Sequence, residues 1–345
     1  MLKFSNSENP FRNIKTVLSP QELLAAAFKR AMKVSVKGSG DSLTRTKRLE
    51  TRRITVAKEF LEERLTQISQ EFPDLDIIHP FYQEIIEISI GQDKLKKMLG
   101  SIQNSTKGLQ KILRDQIRGI NTAQRPQQAK FARQIAFTRF SSFINELGED
   151  GRFERLISLR HLLRKLPAIA NTLTVVIAGF PNAGKSTLLA NLTCAKAEIG
   201  SYPFTTKNVQ IGHYQLKHHL IQLVDTPGIL DRPLSERKDM ELKAIAAIKS
   251  LAQVVLFLFD ASSSAYPENE QLNLYSEIKS MLPTVPHMFV INKIDLISKT
   301  DLNDLKKSLK RKYNIEAYSF SAKTLESVEE LFEQIKQLTG SITKS

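Results

Sequence analysis

The 345-residue sequence has a single cysteine and no apolar run near the ~18 residues that a membrane-spanning helix needs. Cys194 alone cannot form an internal disulfide or a thiolate metal cage, which excludes cysteine-based zinc chemistry. The amino-terminal stretch also lacks the basic-then-apolar order of a signal peptide. We therefore expect no membrane partner and a reducing compartment, the cytoplasm.

Acidic residues are far too few to balance the basic residues in the first half of the chain. Residues 1–170 contain 30 Lys and Arg but 18 Asp and Glu, whereas residues 171–345 contain 20 and 18. A strongly basic domain gathers polyphosphate backbones by releasing their counterions, so we expect nucleic acid as its partner. Since no RNP, KH, zinc-finger or leucine-zipper signature is present, recognition should depend on shape and phosphates.

The basic half carries helical patterns throughout. Ser19 and Glu22 form a capping box around Pro20, which predicts a helix over 20–33, and Asp41 can cap a long helix that ends before Phe72. Proline and glycine residues mark the ends of the helical patterns. They predict a helix that begins at 79–82 and further helices over 93–122, 126–147 and 152–166. The pattern predicts an all-α bundle, with the phenylalanines at 131, 137, 140 and 143 in its core.

The pattern of residue types along the sequence changes after Pro167. A β-branched run over 172–178 ends in a glycine-rich turn, and apolar runs recur between helical patterns over 208–214, 219–224, 253–259, 286–291 and 315–319. This alternation predicts a mainly parallel sheet with helices on both faces, an α/β fold. We expect a helical-bundle domain over 1–168 and an α/β domain over 169–345.

A phosphate-binding motif follows the first predicted strand. Residues 179–186 read GFPNAGKS and fit the pattern G-x-x-x-x-G-K-[ST], directly before the helical run TLLANLT. The glycines let backbone N–H groups surround phosphates, Lys185 reaches the terminal phosphates, and Ser186 offers a hydroxyl to Mg²⁺. The motif therefore predicts a P-loop nucleotide site.

Three more motifs follow in the order that a guanine-nucleotide switch requires. Residues 225–228 read DTPG, residues 292–295 read NKID, and residues 321–323 read SAK, each just after a predicted strand. In an open α/β sheet, ligands bind at the carboxyl ends of strands. The carboxylate of Asp295 can accept from both N1–H and the 2-amino group of guanine, which adenine does not offer. The motifs predict GTP and GDP as ligands, with Asp225 on the Mg²⁺.

These motifs together resemble those of translation-factor-class GTPases. The sequence around them is similar to that of the nucleolar GTP-binding (Nog-type) branch of the Obg-like GTPases. The resemblance covers AEIGSYPFTTKN (197–208), DTPGILDRPLSERKDMELKAIAAI (225–248), KRLETRR (47–53), HPFY (79–82) and RKLPAI (164–169). It implies a helical domain that contacts ribosomal RNA, a G domain that times assembly of the large ribosomal subunit, and nucleolar localisation in a eukaryotic host. It also implies that Thr206 closes onto Mg²⁺ in the GTP state.

The expected site residues fall into four groups. The catalytic groups are Lys185, Thr206 and Gly228, and the Mg²⁺ ligands are Ser186, Thr206 and Asp225. The nucleotide-binding positions are Gly179, Phe180, Pro181, Asn182, Ala183, Gly184, Lys185, Ser186, Thr187, Asp225, Thr226, Pro227, Gly228, Ile229, Asn292, Lys293, Asp295, Ser321, Ala322 and Lys323. The RNA-binding candidates are Arg45, Lys47, Arg48, Arg52 and Arg53, five cations within nine positions.

The sequence departs from a Ras-type switch at the residue after Gly228. A Gln there orients the attacking water, but Ile229 cannot, so we expect slow intrinsic hydrolysis of GTP. One hypothesis is that Asn182 helps to hold K⁺ against the phosphates, by resemblance to the P-loop Asn of related GTPases. The alternative is that Asn182 is a turn residue.

Two further functional interpretations stay open at this point. The protein could be an RNA-binding scaffold that uses GTP for stability, or an Obg-like regulatory GTPase with a protein partner. A GTPase-activating or exchange partner could also complete the site. If RNA affinity is equal in the two nucleotide states, the protein cannot act as a switch.

Overall fold

The computed structural model describes residues 8–37, 39–193, 198–201, 208–231 and 239–342, so Cys194 and Thr206 lie outside the described residues. The chain divides into two compact units. One comprises residues 10–78 and 86–164, and the other comprises 79–85 and 165–345 together with 1–9. The HPFY segment at 79–82 thus belongs to the same unit as the phosphate-binding motif.

The first part of the chain is helical. Its helices are α1 (Pro20–Met32), α2 (Ser42–Glu71), α3 (Pro80–Ser89), α4 (Gln92–Thr122), α5 (Pro126–Gly148) and α6 (Arg152–Arg164). The capping box that the sequence predicts is present, since the Glu22 amide donates to Ser19 Oγ and Glu22 Oε2 accepts from the Ser19 amide at 2.8 Å. Asp41 likewise accepts from the Thr44 amide and starts α2.

The bundle core contains a buried ion-pair cluster. Glu50 on α2 is fully buried, and its Oε1 accepts from Arg53 at 3.0 Å. Nε of Arg133 on α5 lies 2.7 Å from Glu50 Oε2, in ion-pair contact. Two mostly buried guanidinium groups therefore neutralise this carboxylate, and the cluster joins α2 to α5.

The aromatic core prediction for α5 is wrong at one position. Phe140 is fully buried and Phe137 stacks on Phe28 with ring centroids 4.2 Å apart, but Phe131 is 61% exposed. The buried face of α5 is formed by positions 129, 132, 136, 140 and 144, and residue 131 points away from it. Phe143 packs over Gly108 of α4, where a Cβ would lie 2.4 Å from the ring.

The second part of the chain contains a seven-stranded sheet within the described residues. The strands are β1 (Leu173–Ala178), β2 (Glu198–Ser201), β3 (Asn208–Leu216), β4 (His219–Asp225), β5 (Val254–Asp260), β6 (His287–Asn292) and β7 (Ala317–Ser319). Their order is β2-β3-β4-β1-β5-β6-β7. Strands β4, β1, β5, β6 and β7 are mutually parallel, and β2 and β3 are added antiparallel at one edge. The predicted α/β class is confirmed.

Helices cover both faces of this sheet, as the sequence predicts. They are α7 (Lys185–Leu192), α8 (Asp239–Leu251), α9 (Glu268–Met281), α10 (Lys299–Tyr313) and α11 (Val328–Ile342). On one face, Leu256 and Val290 of the sheet share a core with Phe332 of α11. On the other face, the rings of Phe257 and Phe289 pack on Tyr275 of α9. Because both faces are buried, the central strands are continuously apolar.

Candidate functional site

The phosphate-binding motif forms a loop that requires its glycines. Gly179 has φ +136°, and a Cβ there would lie 2.5 Å from the Leu258 carbonyl oxygen of β5. Gly184 has φ +99°, and a Cβ there would lie 2.2 Å from Asn292 Nδ2. Asn182 also has positive φ, at 65°, which asparagine tolerates. The loop therefore passes too close to β5 and β6 for side chains and leads directly into α7.

Lys185 lies inside this loop. Its ammonium is buried and donates to the carbonyl oxygens of Gly179 and Phe180, both at 2.8 Å. The backbone carbonyls thus hold the positive charge at the loop, beside the amino end of α7. A helix N-terminus and a lysine at this position form an electropositive cradle that suits terminal phosphates.

Ser186 and Asp225 meet where a metal would be expected. Ser186 Oγ donates to Asp225 Oδ2 at 2.7 Å, and Asp225 is fully buried at the end of β4. Oδ1 of Asp225 has no hydrogen-bond partner among the described residues. Burial raises the pKa of the Asp225 carboxyl, while the hydrogen bond from Ser186 and the charge of Lys185 oppose that rise. A buried carboxylate oxygen without a donor, next to a hydroxyl, suits a hydrated divalent cation.

The described residues contain no group of three or more His, Cys, Asp and Glu side chains that could hold a metal by themselves. This fits Mg²⁺, which usually takes one or two protein ligands together with phosphate oxygens and waters. The third predicted ligand, Thr206, lies outside the described residues, so the structure gives it no position.

The segment after Asp225 brings a residue that the sequence interpretation missed. The Gly228 amide, at φ +80°, donates to Asp231 Oδ2 at 2.7 Å, and Ile229 is fully buried with its amide on the Thr226 carbonyl. The N–H of Gly228, one of the expected catalytic groups, therefore already donates to a carboxylate. An aspartate three residues after a turn glycine is a local signal that could have suggested this bond.

Asn292 connects two of the predicted motifs. It is almost fully buried, its Nδ2 donates to the Ala183 carbonyl at 2.7 Å, and its Oδ1 accepts from the Ala322 amide at 2.9 Å. One side chain at the end of β6 thus holds the phosphate loop and the SAK segment together. The spacing of the motifs along the chain gives no sign of this bridge, which depends on the order of the strands.

Asp295 is exposed and is oriented by the SAK serine. Ser321 is fully buried, and its hydroxyl donates to Asp295 Oδ1 at 2.6 Å while accepting from the Thr324 amide. The carboxylate is therefore fixed in direction but open to a ligand. Among the other nucleotide-binding candidates, the side chains of Pro181, Asn182, Thr187 and Lys323 are exposed around the same edge of the sheet.

The end of β5 and the neighbouring helix α9 supply two further residues that the sequence interpretation missed, Asp260 and Gln271. Lys293 has φ +64°, and its ammonium lies 2.6 Å from Asp260 Oδ2. Buried Gln271 of α9 accepts from the Asp260 amide and donates to the carbonyls of Asp260 and Tyr266. Tyr266 in turn stacks on Phe180 of the phosphate loop, with ring centroids 4.4 Å apart. The position of Asp260 directly after an apolar strand is the signal that could have marked it.

The five RNA-binding candidates on α2 divide into two sets. Lys47 donates to the Asn121 carbonyl at 2.7 Å, and Arg53 is paired with buried Glu50. Both side chains therefore make contacts that stabilise the helical bundle. Arg45, Arg48 and Arg52 are exposed and follow one helical face at spacings of three and four. Arg48 also donates to the Ser39 carbonyl at 3.1 Å, and Arg52 lies 3.5 Å from Glu59, but neither partner joins α2 to another helix.

No helix among the described residues is both long and apolar enough to cross a bilayer.

Three histidines, His213, His218 and His219, lie in or beside the β3–β4 hairpin. The last two are exposed, as is usual for surface and turn residues.

Comparison with known proteins matches both parts of the chain. Residues 11–170 match the NOG1 N-terminal helical domain, and residues 174–293 match the 50S ribosome-binding GTPase family. An uncharacterized protein of Methanocaldococcus jannaschii is 38% identical over 297 residues, which are 85% of this chain and 83% of that protein.

Nucleolar GTP-binding protein 1 of Drosophila melanogaster is 32% identical over 78% of this chain and 41% of its own length. The Saccharomyces cerevisiae protein of the same name is 30% identical over 93% of this chain and 50% of its own length. The chain thus spans about half or less of these nucleolar relatives. With a NOG1 helical domain ahead of a P-loop GTPase domain, the chain belongs to the family of nucleolar GTP-binding (Nog-type) proteins.

Proposed function

We propose that the protein binds GTP and hydrolyses it to GDP and phosphate as a switch in assembly of the large ribosomal subunit. The observation that carries the nucleotide part is the bridge through Asn292, which joins the phosphate loop at Ala183 to the SAK segment at Ala322. Two motifs more than a hundred residues apart are thereby held as one site at the carboxyl edge of the sheet.

The residues take the following proposed roles. Lys185 and the backbone of 179–187 bind the phosphates, Ser186, Thr206 and Asp225 hold Mg²⁺, and Asn292, Lys293, Asp295 and the SAK segment bind guanine. The cation would neutralise charge on the phosphates. Water attacks the γ-phosphate in line, and its proton leaves with the phosphate product. Lys185 stabilises the charge that develops, because its ammonium is fixed before the reaction.

The residue after Gly228 is Ile229, which is buried, and not a glutamine. The water must then be positioned by another group, which supports slow intrinsic hydrolysis and a role for an activating partner or a cation. We extend the proposal to K⁺ held near Asn182, whose exposed side chain lies on the phosphate loop at φ +65°.

Steady-state GTP hydrolysis in K⁺ and in Na⁺ buffers of equal ionic strength tests the cation. We expect faster hydrolysis in K⁺ and loss of that difference in Asn182→Ala. Equal rates in the two buffers would remove the K⁺ proposal and leave GTP hydrolysis in place.

The ribosomal part of the proposal rests on the family and on the charge of the first half of the chain. The NOG1 helical domain matches residues 11–170, within which Arg45, Arg48 and Arg52 present three cations on one exposed face of α2. We assign residues 1–168 to ribosomal RNA or the large-subunit precursor, residues 169–345 to the nucleotide, and the protein to the cytoplasm, or the nucleolus of a eukaryote.

Sedimentation with purified ribosomal subunits in moderate salt tests this assignment. The protein is spun with small or large subunits, with GDP or with a non-hydrolysable GTP analogue. We expect association with the large subunit or its precursor in one nucleotide state. Binding that ignores subunit and nucleotide would favour the RNA-binding scaffold, and no binding to either subunit would favour a regulatory GTPase with a protein partner.

A further inference from the structure

A cavity lies on the G domain at the amino ends of β6 and β7, away from the nucleotide motifs. Its volume is about 420 Å³, within the range of about 300–1,000 Å³ that is usual for ligand sites. His287 at the start of β6 lines this cavity, whereas Asn292 of the nucleotide site ends the same strand. Five residues of extended strand separate the two by about 16 Å.

Aromatic side chains line the cavity from several elements. Tyr275 of α9 and Phe289 of β6, both almost fully buried, pack edge to face with ring centroids 5.0 Å apart and form part of its floor. Tyr318 of β7 is half-buried against the core on the opposite face of the sheet, and Tyr313 at the end of α10 lies at the mouth. Tyr275 is largely buried, whereas Tyr313 is 48% exposed. Burial raises the pKa of the Tyr275 phenol, so this wall stays uncharged. The exposed ring of Tyr313 therefore offers a face on which a base can stack.

The rim of the cavity carries more basic than acidic side chains, since exposed Glu316 is the acidic residue among its described lining residues. Lys279 of α9 lines it, and Lys310, Arg311 and Lys312 form the last turn of α10 next to Tyr313. The three α10 cations are exposed, and none of the four forms an ion pair with another described residue. Cations in a last turn stabilise the helix dipole, but the dipole does not account for an aromatic cavity beside them.

The end of α10 is held rigidly. Asn314 adopts a left-handed conformation at φ +52°, its amide donates to the Lys310 carbonyl at 3.1 Å, and the Ile315 amide donates to the Leu309 carbonyl. These bonds close the helix end. The backbone that carries Tyr313 and the basic turn is therefore ordered before any ligand arrives, which reduces the entropy cost of binding.

We propose that this face of the G domain binds an unpaired RNA strand, with one base stacked on Tyr313 at the mouth of the cavity and its phosphates on Lys279, Arg311 and Lys312. The contact is additional to the one assigned to α2 and does not depend on GTP hydrolysis. RNA suits both features, because every base offers a flat face to the rings and every linkage offers a phosphate to the cations. An acidic peptide would match the cations but offers no base to stack on the exposed ring of Tyr313.

Fluorescence anisotropy of the full chain tests the charges. The probe is a fluorescein-labelled ten-nucleotide oligouridylate, titrated over a series of salt concentrations. The test variant is Arg311→Gln with Lys312→Gln, and the matched control is Lys299→Gln with Lys307→Gln, which removes two exposed cations from the same helix. If two phosphate contacts are lost, the slope of log K against log salt should fall by about 1.4 in magnitude, since each contact on a single strand contributes about 0.7.

The aromatic wall is tested with a second pair of variants. Tyr313→Ala should weaken binding about fivefold or more, whereas Tyr313→Phe, which keeps the ring, should bind within about twofold of the parent. A 4-thiouridine in the middle of the oligonucleotide, activated by light, should cross-link to peptides of α9, β6 or the end of α10. GTP affinity, measured in parallel, should be unchanged in all four variants.

Three results would overturn the proposal. One is an equal change of affinity and salt slope in the test and control charge variants, which would indicate a general field effect. Another is cross-linking confined to residues 10–164, which would leave the α2 contact intact and remove this one. A third is binding of a glutamate- and tyrosine-containing peptide at this face without any RNA cross-link, which would assign the face to an acidic protein partner.

Discussion

At the scale of single residues, we propose that Asp295 decides which base the site accepts. Its carboxylate can accept two hydrogen bonds from guanine, and Ser321 fixes its direction through a 2.6 Å hydrogen bond. An amide in its place would present a donor where guanine also has a donor. We therefore expect Asp295→Asn to lower GTP affinity by at least about a hundredfold and to improve xanthosine triphosphate relative to GTP.

Isothermal titration with both nucleotides measures this exchange of preference. Asp304→Asn is the control, because it removes an exposed carboxylate of α10 without touching the predicted base site. An unchanged ratio of GTP to xanthosine triphosphate affinity in Asp295→Asn would show that another group reads the base.

At Asp225, a fall in pH should have opposite effects on Mg²⁺-dependent nucleotide binding and on the stability of the fold. Burial raises the pKa of its carboxyl. As pH falls, the carboxyl takes up its proton earlier than an ordinary aspartate would, so Mg²⁺-dependent nucleotide binding should weaken in mildly acidic solution. The stability of the unliganded protein should change in the other direction. Because the folded state binds this proton more tightly than the unfolded chain, the contribution of Asp225 to the free energy of unfolding rises as pH falls.

Asp225→Asn separates these two effects. The amide keeps the size of the side chain but carries no charge to bury, so the melting temperature without nucleotide should rise by a few degrees. The additional stabilisation by Mg²⁺ and GTP should disappear. Thermal shifts with and without Mg²⁺ and GTP, from neutral to mildly acidic pH, check both. An unaltered response to Mg²⁺ and GTP in the variant would take Asp225 out of the metal site.

The site also shows how far residue-level reasoning reaches. The P-loop and the base-recognition motifs were predicted because each is a short local pattern with its own chemistry. Asp260 and Gln271 were not, because their roles depend on partners such as Lys293 and Tyr266 that tertiary structure supplies. The roles of all these residues toward nucleotide stay predictions until they are measured.

At the scale of secondary-structure elements, local signals account for most helix ends. Ser19 and Asp41 start α1 and α2 through side-chain caps, and α2 ends just before Phe72–Pro73. The predicted strands agree with the observed ones to within about two residues at most ends. Strand β2 (Glu198–Ser201) was missed, because four residues paired only to β3 carry too little pattern of their own.

The misplaced Phe131 has the same kind of explanation. Phenylalanines near helical spacing predict one face, but small residues at 129, 132 and 136 define the contact face of α5 in the structure. Helices approach closely where side chains are small, so Ala rather than Phe marks the interface here. Residue 131 is left on the outside.

The buried Glu50 cluster gives a prediction for the α2–α5 pair. Glu50→Gln keeps the shape of the side chain but leaves the guanidinium groups of Arg53 and Arg133 without a counter-charge. Removing one partner of a buried ion pair costs about 3–5 kcal/mol. The two arginine side chains are 18% and 15% exposed, so some screening remains, and we expect a loss of about 2–3 kcal/mol.

Native-state hydrogen exchange of α2 and α5 amides measures this loss within the helical unit alone. Glu59→Gln, which alters an exposed carboxylate of the same helix paired only to Arg52 at 3.5 Å, is the control and should change stability by less than about 0.5 kcal/mol. Unchanged protection in Glu50→Gln would mean that water or helix motion already compensates the arginines.

At the scale of the whole molecule, the charge and the nucleotide motifs are on different parts of the chain. The basic excess lies in residues 1–170 and the nucleotide motifs lie between 179 and 323. If the protein is a switch, the two parts must be coupled by a free energy. Composition predicted the separation of roles, but coupling cannot be derived from a single conformation, because it is a difference between two states.

Thermodynamic linkage turns the switch hypothesis into a quantitative test. If the GTP form binds RNA more tightly than the GDP form by some factor, RNA must improve the preference for GTP over GDP by that same factor. We expect a factor of about 5–150, equivalent to about 1–3 kcal/mol. Arg45→Glu with Arg52→Glu should weaken RNA binding in both states and leave nucleotide affinity without RNA unchanged. Reversing exposed Lys94 and Lys97 of α4 provides a charge-matched control.

The measurement is a closed cycle of four affinities: RNA for the GTP-analogue and GDP forms, and each nucleotide with and without saturating RNA. Agreement of the two factors shows that one equilibrium between conformations links the sites. Identical RNA affinities in the two nucleotide states would show that GTP supplies stability without signalling, as a scaffold would use it. A weakened double variant with an intact ratio between states would place the RNA contact on α2 and the origin of the coupling elsewhere in the chain.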